Sequence, residues 1–397
     1  MELFKSFFKM KLPAVLTVLL LLSPPLRAFG QEVFKIGAIF PLSGAYGAWG
    51  LAQMRGNELM AEKINASGGV KVGGKQYQIK LIQADEKTDF NVALSQANKL
   101  IFNEGLKFIL GPNLSGSTLA VQPVSEPQKV LLLPTSYSPK ILGPDKKYSF
   151  RLYASGTERT AAVFLYLKKY RPDIKTIGSI GPNDETGWGT STEIRKKAEE
   201  AGFKVVFKDF FERGTTDFYP LLTKLMQNPP DALVPHSVPP PVFNLLVKQK
   251  HELGFKGLII TPSFVELPIL KAQVSPEAME GIIFQTPDFT GPRALPGHRE
   301  LYEAYLAKYK EQFSTTTTVT YCYLHILKLA LEKAGTFDTT KVAETLETLE
   351  GDFPYGRFTM GGLKTYGLNH QVVEPIFMSE IKKAELAPLP PVTPTVP

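Results

Sequence analysis

The feature that most constrains the fold is a regular alternation of strand-like and helix-like segments along the 397 residues. Short apolar runs such as FKIGAIF (34–40) and KQYQIKLIQAD (75–85) read as strands. Each is followed by a longer stretch with apolar residues at helical spacing, for example 50–69 and 90–105. Strands that alternate with helices predict parallel sheets with helices packed on both faces.

The same pattern restarts near residue 150, which indicates a second unit. YSFRLYAS (148–155) reads as its first strand, and GIIFQTP (281–287) as a late one. The chain is also too long for one ordinary hydrophobic core, since cores stop growing at about 250–300 residues. We therefore predict the fold class α/β, with two doubly wound parallel-sheet lobes.

The two ends of the chain differ from the rest. Residues 1–30 combine a basic start, an apolar run of 11 residues at 12–22, and small residues at Ala28 and Gly30. This pattern predicts a signal peptide cleaved near Gly30/Gln31 and export to the periplasm, with an uncleaved membrane anchor as the alternative, although the run is short for a span. Residues 385–397 are rich in proline and are predicted to be disordered.

Charge and cysteine content narrow the functional classes. The formal net charge is +7, and residues 1–30 hold four Lys or Arg against Glu2, which leaves +4 for the rest. No basic cluster of the kind that binds nucleic acid is present in the sequence. Cys322 is the only cysteine, so no intrachain disulfide can form; it is predicted to pack in the core, with a catalytic thiol as the alternative.

The loops after the predicted strands are rich in Ser, Thr, Gly, Pro and aromatic residues. In open parallel sheets, ligands bind at the carboxyl ends of the strands. The unpaired N–H groups of GPNLSGST, which begins a helix, favour a carboxylate or phosphate, unless Ser115 or Ser117 only caps that helix. Three such loops fall in each lobe, which predicts a small-molecule cleft between the lobes: 41–50, 111–118, 134–139, 181–189, 235–241 and 261–266.

Enzyme motifs are missing from the sequence. It contains no G-x-S-x-G elbow, no phosphate-binding glycine loop and no histidines at metal-ligand spacing. Asp184 and Glu185 form a carboxylate pair that is more typical of a helix cap, and His236 either donates to a ligand or supports its loop. We predict a binding protein rather than an enzyme, with no cofactor and no metal site.

Four stretches together resemble a known family: IGAIFPLSGAYGAWGLAQMRGNELMAEKIN, DEKTDFNVALSQANKLI, LKFILGPNLSGSTLAVQPVSE and YGRFTMGGLKTYGLNHQVVEPIFMSEI. Over about residues 33–383 the chain resembles the periplasmic solute-binding proteins of branched-chain amino acid (leucine-binding) ABC transporters, the type I periplasmic binding proteins. The resemblance implies two lobes joined by a three-crossover hinge, with the ligand cleft between them. It implies lobe one at 32–152 and 287–355, and lobe two at 153–286 and 356–384.

The resemblance also implies ligand residues. It places Ser115 on the ligand carboxylate and Trp49 over the ligand side chain. The following residues would complete the site, the first two from lobe one and the others from lobe two: Ser136, Tyr137, Thr186, Val238 and Ser263. The aromatic rings of Tyr46, Trp49 and Tyr137 could stack on an aromatic acid.

Several of these positions depart from the family pattern. The family commonly has a Thr or Ser at the position of Tyr137 and an aromatic residue near Thr186 and near Val238. Its amino-acid binders often place an acid near Ser263, where it pairs with the ligand ammonium. A buried ammonium without a carboxylate partner is costly. Either Glu266, Asp184 or Glu185 takes over that role, or the ligand has no α-amino group.

The resemblance predicts the substrate-binding component of an ABC importer. It would capture a small carboxylate-bearing solute, an amino acid or a related acid, and deliver it to a membrane permease. The alternatives are a ligand-sensing periplasmic protein, or a binder of an aromatic or aliphatic acid or an amide. The Pro-rich end favours a freely diffusing carrier over a membrane-bound sensor. A monomer that binds no nucleic acid is expected.

Overall fold

The structure, a computed structural model, describes residues 32–394, so the predicted signal peptide lies outside the described residues. Its fifteen strands among those residues are β1 (Glu32–Phe40), β2 (Val70–Val72), β3 (Lys75–Asp85), β4 (Phe108–Leu110), β5 (Leu131–Leu133), β6 (Thr176–Pro182), β7 (Lys204–Phe211), β8 (Ala232–Pro235), β9 (Leu258–Thr261), β10 (Ile283–Phe284), β11 (Glu350–Phe353), β12 (Gly356–Gly361), β13 (Gln371–Val373), β14 (Ser379–Lys382) and β15 (Glu385–Pro388).

The helices occupy most of the predicted helical stretches. They are α1 (Gly47–Ala66), α2 (Phe90–Asn98), α3 (Ser115–Ser125), α4 (Gly156–Tyr170), α5 (Glu185–Ala201), α6 (Tyr219–Met226), α7 (Pro240–Glu252), α8 (Leu267–Gln273), α9 (Pro276–Met279), α10 (Pro296–Tyr309), α11 (Thr318–Tyr321), α12 (Tyr323–Ala334), α13 (Thr339–Glu347) and α14 (Leu363–Tyr366). None of the helices within residues 32–394 has the length and apolar character needed to cross a membrane.

Each lobe is built on its own sheet, which confirms the predicted α/β class. The sheet of lobe one has the strand order β2-β3-β1-β4-β5, and only its edge strand β2 is antiparallel to its neighbour. The sheet of lobe two has the order β15-β14-β10-β9-β8-β6-β7, with parallel pairs from β10 to β7. Central strands such as β4 and β5 are buried throughout, as expected for parallel strands covered on both faces.

The chain passes between the lobes three times. Tyr153 packs in the hydrophobic core of lobe one, and the next residue, Ala154, packs in a core of lobe two. The second passage lies between Phe284 and Phe289, and the third between Val372 and Ile376. Three neighbouring connections of this kind form a hinge about which two rigid lobes can close.

One predicted lobe boundary and one predicted strand are wrong. The three-stranded antiparallel sheet β11-β12-β13 packs Phe358 and Val372 into the core of lobe one, although residues 356–384 had been assigned to lobe two. Residues 148–155 do not form a strand; they make only isolated bridges, one of them between Arg151 and Gln371. Both errors concern segments at the hinge, where long-range contacts override the local pattern.

The predicted disorder of residues 385–397 is also wrong for its first part. β15 pairs antiparallel with β14 and extends the sheet of lobe two. Beyond it, Val392 bridges to Ile376, with N–H···O distances of 2.8 and 2.9 Å. The prolines are accommodated because β15 is an edge strand. On its outer side there is no neighbouring strand, so a residue without an N–H group loses no hydrogen bond of the sheet there.

Candidate functional site

The two lobes contact each other directly across their strand-end loops. The Ser115 N–H donates to Thr186 Oγ1 of the other lobe at 3.3 Å, and Ser138 Oγ donates to Glu185 Oε1 at 2.8 Å. The Tyr46 hydroxyl donates to the carbonyl of Ser237 at 3.2 Å. These bonds join lobe one to lobe two, so the structure shows the closed arrangement of the lobes.

Glycines allow the loops to approach closely. A Cβ atom on Gly50, in the first turn of α1, would lie 2.0 Å from the carbonyl oxygen of Pro41. A Cβ on Gly189, in α5, would lie 2.9 Å from Ser138 Oγ of the opposite lobe. A larger residue at Gly189 would therefore hold the lobes apart, because no Cβ tolerates a contact that short.

A cavity lies between the closed lobes, and we call it the cleft cavity. Its empty space is ≈ 440 Å³, a figure that includes the part open to solvent. None of the described residues that line it carries a charge. They are Tyr46, Trp49, Gln53, Asn113, Leu114, Thr135, Tyr137, Thr186, Ser237, Ser263, Phe264, Thr316 and Val319.

Five of the predicted ligand residues line the cleft cavity: Tyr46, Trp49, Tyr137, Thr186 and Ser263. The rings of Tyr46 and Trp49 meet edge to face at a centroid distance of 5.2 Å. The indole N–H of Trp49 is buried and has no hydrogen-bond partner among the described residues. A buried donor of this kind is usually satisfied, and a solute acceptor would satisfy it.

Three predicted residues lie in lobe cores or in internal hydrogen bonds instead. Ser115 is fully buried, and its Oγ accepts the Ser138 N–H at 3.0 Å. Ser136 shares a 2.8 Å hydrogen bond with Thr118. Val238 is fully buried in the core of lobe two. In the closed arrangement none of the three is among the residues that line the cleft cavity.

The three candidate acids are engaged elsewhere. Glu266 accepts hydrogen bonds from Ser314 and from the N–H and hydroxyl of Thr315, at 2.7 to 3.1 Å, across the lobe boundary. Glu185 pairs with Lys140 at 3.0 Å, in addition to its bond from Ser138. Asp184 caps α5 and pairs with Arg213, whose guanidinium lies 3.9 Å from the centroid of the Tyr46 ring. These carboxylates bind the lobes to each other or cap a helix.

His236 is packed beneath β6 rather than beside the cleft cavity. A Cβ on Gly181 would lie 2.0 Å from its ring. Burial lowers the pKa of His236 to about 3, so the imidazole is neutral at ordinary pH. Its two ring nitrogens have no partners among the described residues, and it does not line the cleft cavity.

A polar network in lobe one was missed from the sequence. Gln53 Oε1 accepts hydrogen bonds from Asn113 Nδ2 at 3.0 Å and from Thr135 Oγ1 at 2.7 Å. All three side chains line the cleft cavity. Gln53 follows Trp49 by four residues on α1, so the two share one helix face, and that spacing could have identified it.

Two neighbouring acids after β3 behave differently. Glu86 is fully buried behind the loop that precedes α3 and accepts the Asn113 N–H at 3.3 Å. Burial raises the pKa of Glu86 to about 7. Burial by itself would raise the pKa of Asp85. The hydrogen bonds from Ser43, Leu42 and Lys87 outweigh this effect, so the pKa of Asp85 is lowered. With a pKa of about 7, Glu86 is partly ionised at neutral pH, and its negative charge disfavours a second carboxylate at this loop.

No group of three or more potential metal ligands is assembled within the described residues. The cleft cavity presents uncharged hydrogen-bonding groups and aromatic faces from both lobes.

Comparisons with known proteins agree with this architecture. Residues 33–385 match the family model described as periplasmic binding protein. A leucine-, isoleucine-, valine-, threonine- and alanine-binding protein of Pseudomonas aeruginosa is 28% identical over 346 residues, which cover 85% of this chain and 89% of that protein.

Two solved structures share the fold. A leucine binding protein from Thermotoga maritima superposes with a TM-score of 0.77 at 24% identity, over 91% of this chain and 99% of the other. A solute binding protein of an R. palustris ABC transporter, solved in complex with benzoate, gives a TM-score of 0.76 at 16% identity, over 91% and 97%. The family is a non-enzymatic, solute-binding class that works with ABC transporter permeases. The chain therefore belongs to the type I periplasmic binding proteins, the family of the Leu/Ile/Val-binding proteins.

Proposed function

We propose that this protein captures a small aromatic or aliphatic acid, or the corresponding amide, that carries no α-ammonium group, and delivers it to an ABC permease. The observation that carries the proposal is the lining of the cleft cavity, in which no described side chain is acidic. An amino-acid ligand would bury its ammonium there without a carboxylate partner, at a cost of several kcal/mol.

The engaged acids support this choice. To pair with an ammonium, Glu266 would have to give up its bonds to Ser314 and Thr315, and Glu185 its bonds to Ser138 and Lys140. Both exchanges would break contacts that hold the lobes closed, so binding the ammonium would oppose closure.

The aromatic side chains support a flat or apolar solute body. Tyr46, Trp49, Tyr137 and Phe264 contribute four rings to the cleft cavity. Rings in such positions stack on an aromatic solute at about 0.5–1.5 kcal/mol per pair beyond the buried area. The R. palustris solute binding protein of the same fold was solved in complex with benzoate, which supports the choice of an aromatic acid here.

Capture would proceed by closure of the two lobes. In an open form, the loop at Ser115 and the rings of Trp49 and Tyr137 would receive the solute on lobe one. Thr186 and Ser263 would then arrive from lobe two, and the bond from the Ser115 N–H to Thr186 Oγ1 would lock the closed form. The closed protein, a monomer in the periplasm after loss of residues 1–30, would dock on its permease.

A thermal-shift screen of the chain from Gln31 onward tests the proposal. Leucine, isoleucine and valine are compared with benzoate, phenylacetate, 3-phenylpropionate, hexanoate and their amides. A solute that binds only the folded state raises the melting temperature. We expect shifts with members of the acid and amide set and none with the three amino acids. A shift with leucine alone would overturn the proposal.

A further inference from the structure

The last described part of the chain runs back to the hinge, and we call residues 385–394 the C-terminal strap. It begins with β15, which pairs antiparallel with β14 at the edge of the lobe-two sheet. Lys271 of α8 forms an ion pair with Glu385 at 2.5 Å. All of the strap except Glu385 lies outside the family match at residues 33–385. Its first part is therefore fixed to lobe two, and the family resemblance does not imply its role.

The rest of the strap lies along the third passage between the lobes. The Leu389 N–H donates to the Met378 carbonyl at 2.8 Å. Val392 and Ile376 exchange two backbone hydrogen bonds, at 2.8 and 2.9 Å. Ile376 is the first residue after that passage that packs in a core of lobe two. The strap therefore pairs with the segment from Ile376 to Met378 as a neighbouring strand would, and it fixes the backbone of that segment.

Two apolar side chains hold the strap against lobe two. Leu389 and Val392 are partly buried and pack on the hydrophobic cluster that contains Ala154 and Ile376. Ala154 follows the first passage and Ile376 follows the third, so the strap packs on the cluster through which two of the three passages enter this lobe. Burial of apolar surface is favourable, and it adds to the backbone hydrogen bonds of the strap.

The strap also contacts lobe one. Arg293 Nη1 donates to the Pro388 carbonyl at 2.6 Å. Arg293 lies in the chain between Phe289 and Leu301, which both pack in the core of lobe one. The Asp288 carboxylate accepts three N–H groups of the same loop, that of Arg293 included, at 2.7 to 3.2 Å, so the loop is held in one conformation. The Arg293 bond therefore joins lobe one to the strap and, through β15, to the sheet of lobe two.

Pairing with the strap shortens the part of the third passage that can act as a pivot. β13 ends at Val373 and the bridge to the strap begins at Ile376, so only Glu374 and Pro375 lie between two paired stretches. Hinges work through a few residues that absorb large changes in φ and ψ, and proline has a fixed φ. Without the strap, residues 376–378 would join this pivot, because among the described residues only the strap pairs with them.

We propose that the C-terminal strap braces the hinge and favours the closed arrangement of the lobes. The bond between Arg293 and Pro388 is made in the closed arrangement and spans the lobes, so rotation of one lobe against the other works against it. The paired segment at 376–378 confines that rotation to a short pivot. Contacts that favour one of two conformations shift the equilibrium toward it. The proposal goes beyond the proposed function, because the strap acts whichever solute is bound.

Single-molecule energy transfer between the lobes tests this proposal in the chain from Gln31 onward, without any solute. One dye is placed at Asn91→Cys, on α2 of lobe one, and the other at Thr192→Cys, on α5 of lobe two; both positions are exposed. Cys322 is buried, so the dyes react with the introduced cysteines. The quantity measured is the ratio of molecules in the open form to molecules in the closed form.

Two variants weaken the strap at different points. Deletion of residues 389–397 keeps β15 but removes the bonds to Ile376 and Met378. We expect the open-to-closed ratio to rise about 5- to 10-fold, because a longer pivot gives the open form more conformations. Arg293→Gln keeps the strap and removes its bond to lobe one. Because Arg293 is exposed, we expect a smaller rise of about 2- to 3-fold, within the lower range for one hydrogen bond.

Each variant has a matched control. Deletion of residues 395–397 shortens the same end of the chain but leaves every residue of the strap in place. Arg357→Gln removes another exposed guanidinium of lobe one, which pairs with Glu350 of the neighbouring strand at 3.0 Å. Both controls should give the open-to-closed ratio of the native chain.

The outcomes decide the proposal independently of the solute. A native ratio for either the deletion of residues 389–397 or Arg293→Gln would overturn it, and so would a shift toward the closed form. An equal rise on deletion of residues 395–397 would overturn it as well. If the longer deletion fails to fold, Arg293→Gln decides alone, since that side chain is exposed and Asp288 holds its loop. No solute enters this measurement, so either proposal can fail while the other holds.

Discussion

The cleft cavity and a second cavity differ in charge and in the origin of their walls. The cleft cavity is formed mainly by strand-end loops and has no charged side chain among its described lining residues. The second cavity, which we call the hinge cavity, is formed by the crossovers between the lobes and contains Arg159, Glu374 and His298. An uncharged chamber can bind a solute body by shape and stacking, whereas charged groups at the crossovers make the hinge sensitive to pH.

The acids of the loop that follows β9 also differ from what the resemblance implies. It implies an acid near Ser263 in amino-acid binders, whereas Ser263 itself lines the cleft cavity without charge. The nearest acid in that loop, Glu266, caps the turn at Ser314 and Thr315 in the other lobe. The charge of Glu266 is thus used for contact between the lobes.

Replacing Trp49 should give the largest effect on the cleft cavity. Trp49→Ala removes an indole that lines the cavity and meets the Tyr46 ring edge to face. We therefore expect about 30- to 100-fold weaker binding of 3-phenylpropionate and of its amide alike, since the loss of a large anchor costs roughly 2–3 kcal/mol. Titration calorimetry measures the change.

The chain offers a matched control for this change. Trp188, the other tryptophan, is 48% exposed and lines neither cavity, so Trp188→Ala should bind as the native chain does. Equal effects of the two substitutions would contradict a role for Trp49 in the site.

The pH dependence of stability should report the charge of the hinge cavity. Because the pKa of Glu374 is raised from 4.5 to about 7 by burial, the folded state binds the proton more tightly than the unfolded state. The raised pKa of Glu374 therefore contributes fully to the free energy of unfolding below pH 4.5, and this contribution is lost as the pH rises through about 7. Glu374→Gln should remove that loss and be more stable than the native chain at pH 8, by on the order of 2–3 kcal/mol.

Urea unfolding of the native chain and of Glu374→Gln between pH 4.5 and 8 measures this difference. Glu86→Gln is the matched change beside the cleft, since burial also raises the pKa of Glu86 to about 7. The quantity compared is the free energy of unfolding of each variant minus that of the native chain. If this difference is constant with pH for Glu374→Gln but changes with pH for Glu86→Gln, the hinge cavity is better solvated than the burial of Glu374 implies.

Removal of the Tyr46 hydroxyl should have a moderate effect on closure. Tyr46→Phe keeps the ring in the cleft cavity but loses the bond to the Ser237 carbonyl, which joins the lobes. One such bond contributes about 0.5–1.5 kcal/mol, so we expect roughly 2- to 10-fold weaker binding of every solute, with no change in the ratio of the affinities for 3-phenylpropionate and its amide. A changed ratio would show that this hydroxyl contacts the solute.

Ser115→Ala should give the smallest effect, and it tests whether the solute carboxylate lies at the Ser115 loop. In the closed arrangement its hydroxyl accepts the Ser138 N–H and does not line the cleft cavity, so we expect a loss of about threefold or less for the acid, within the lower range of one hydrogen bond. A loss of tenfold or more, confined to the acid, would place the carboxylate at the Ser115 loop.

Local patterns were enough to predict much of this protein. The strands at 34–40 and 75–85 fall within β1 and β3, and the helix pattern at 50–69 overlaps most of α1. These segments fold as their own periodicity indicates, because apolar spacing and caps act within a few residues. The strand-end loops follow from the same patterns, so Tyr46, Trp49 and Thr186 could be assigned to the cleft from the sequence.

Other features depend on residues far apart in the chain, and the sequence did not reveal them. β15 is a strand because β14 offers it an edge, and β12 belongs to lobe one because Phe358 reaches that core. Arg159 faces the hinge cavity only because Pro262, 103 residues later, accepts its Nε–H. The α/β class, the two lobes and the loops that meet between them could all be predicted from local patterns. The tertiary structure decided which side chains line the two cavities, because lining depends on where the hinge brings the lobes together, and no local pattern encodes that position.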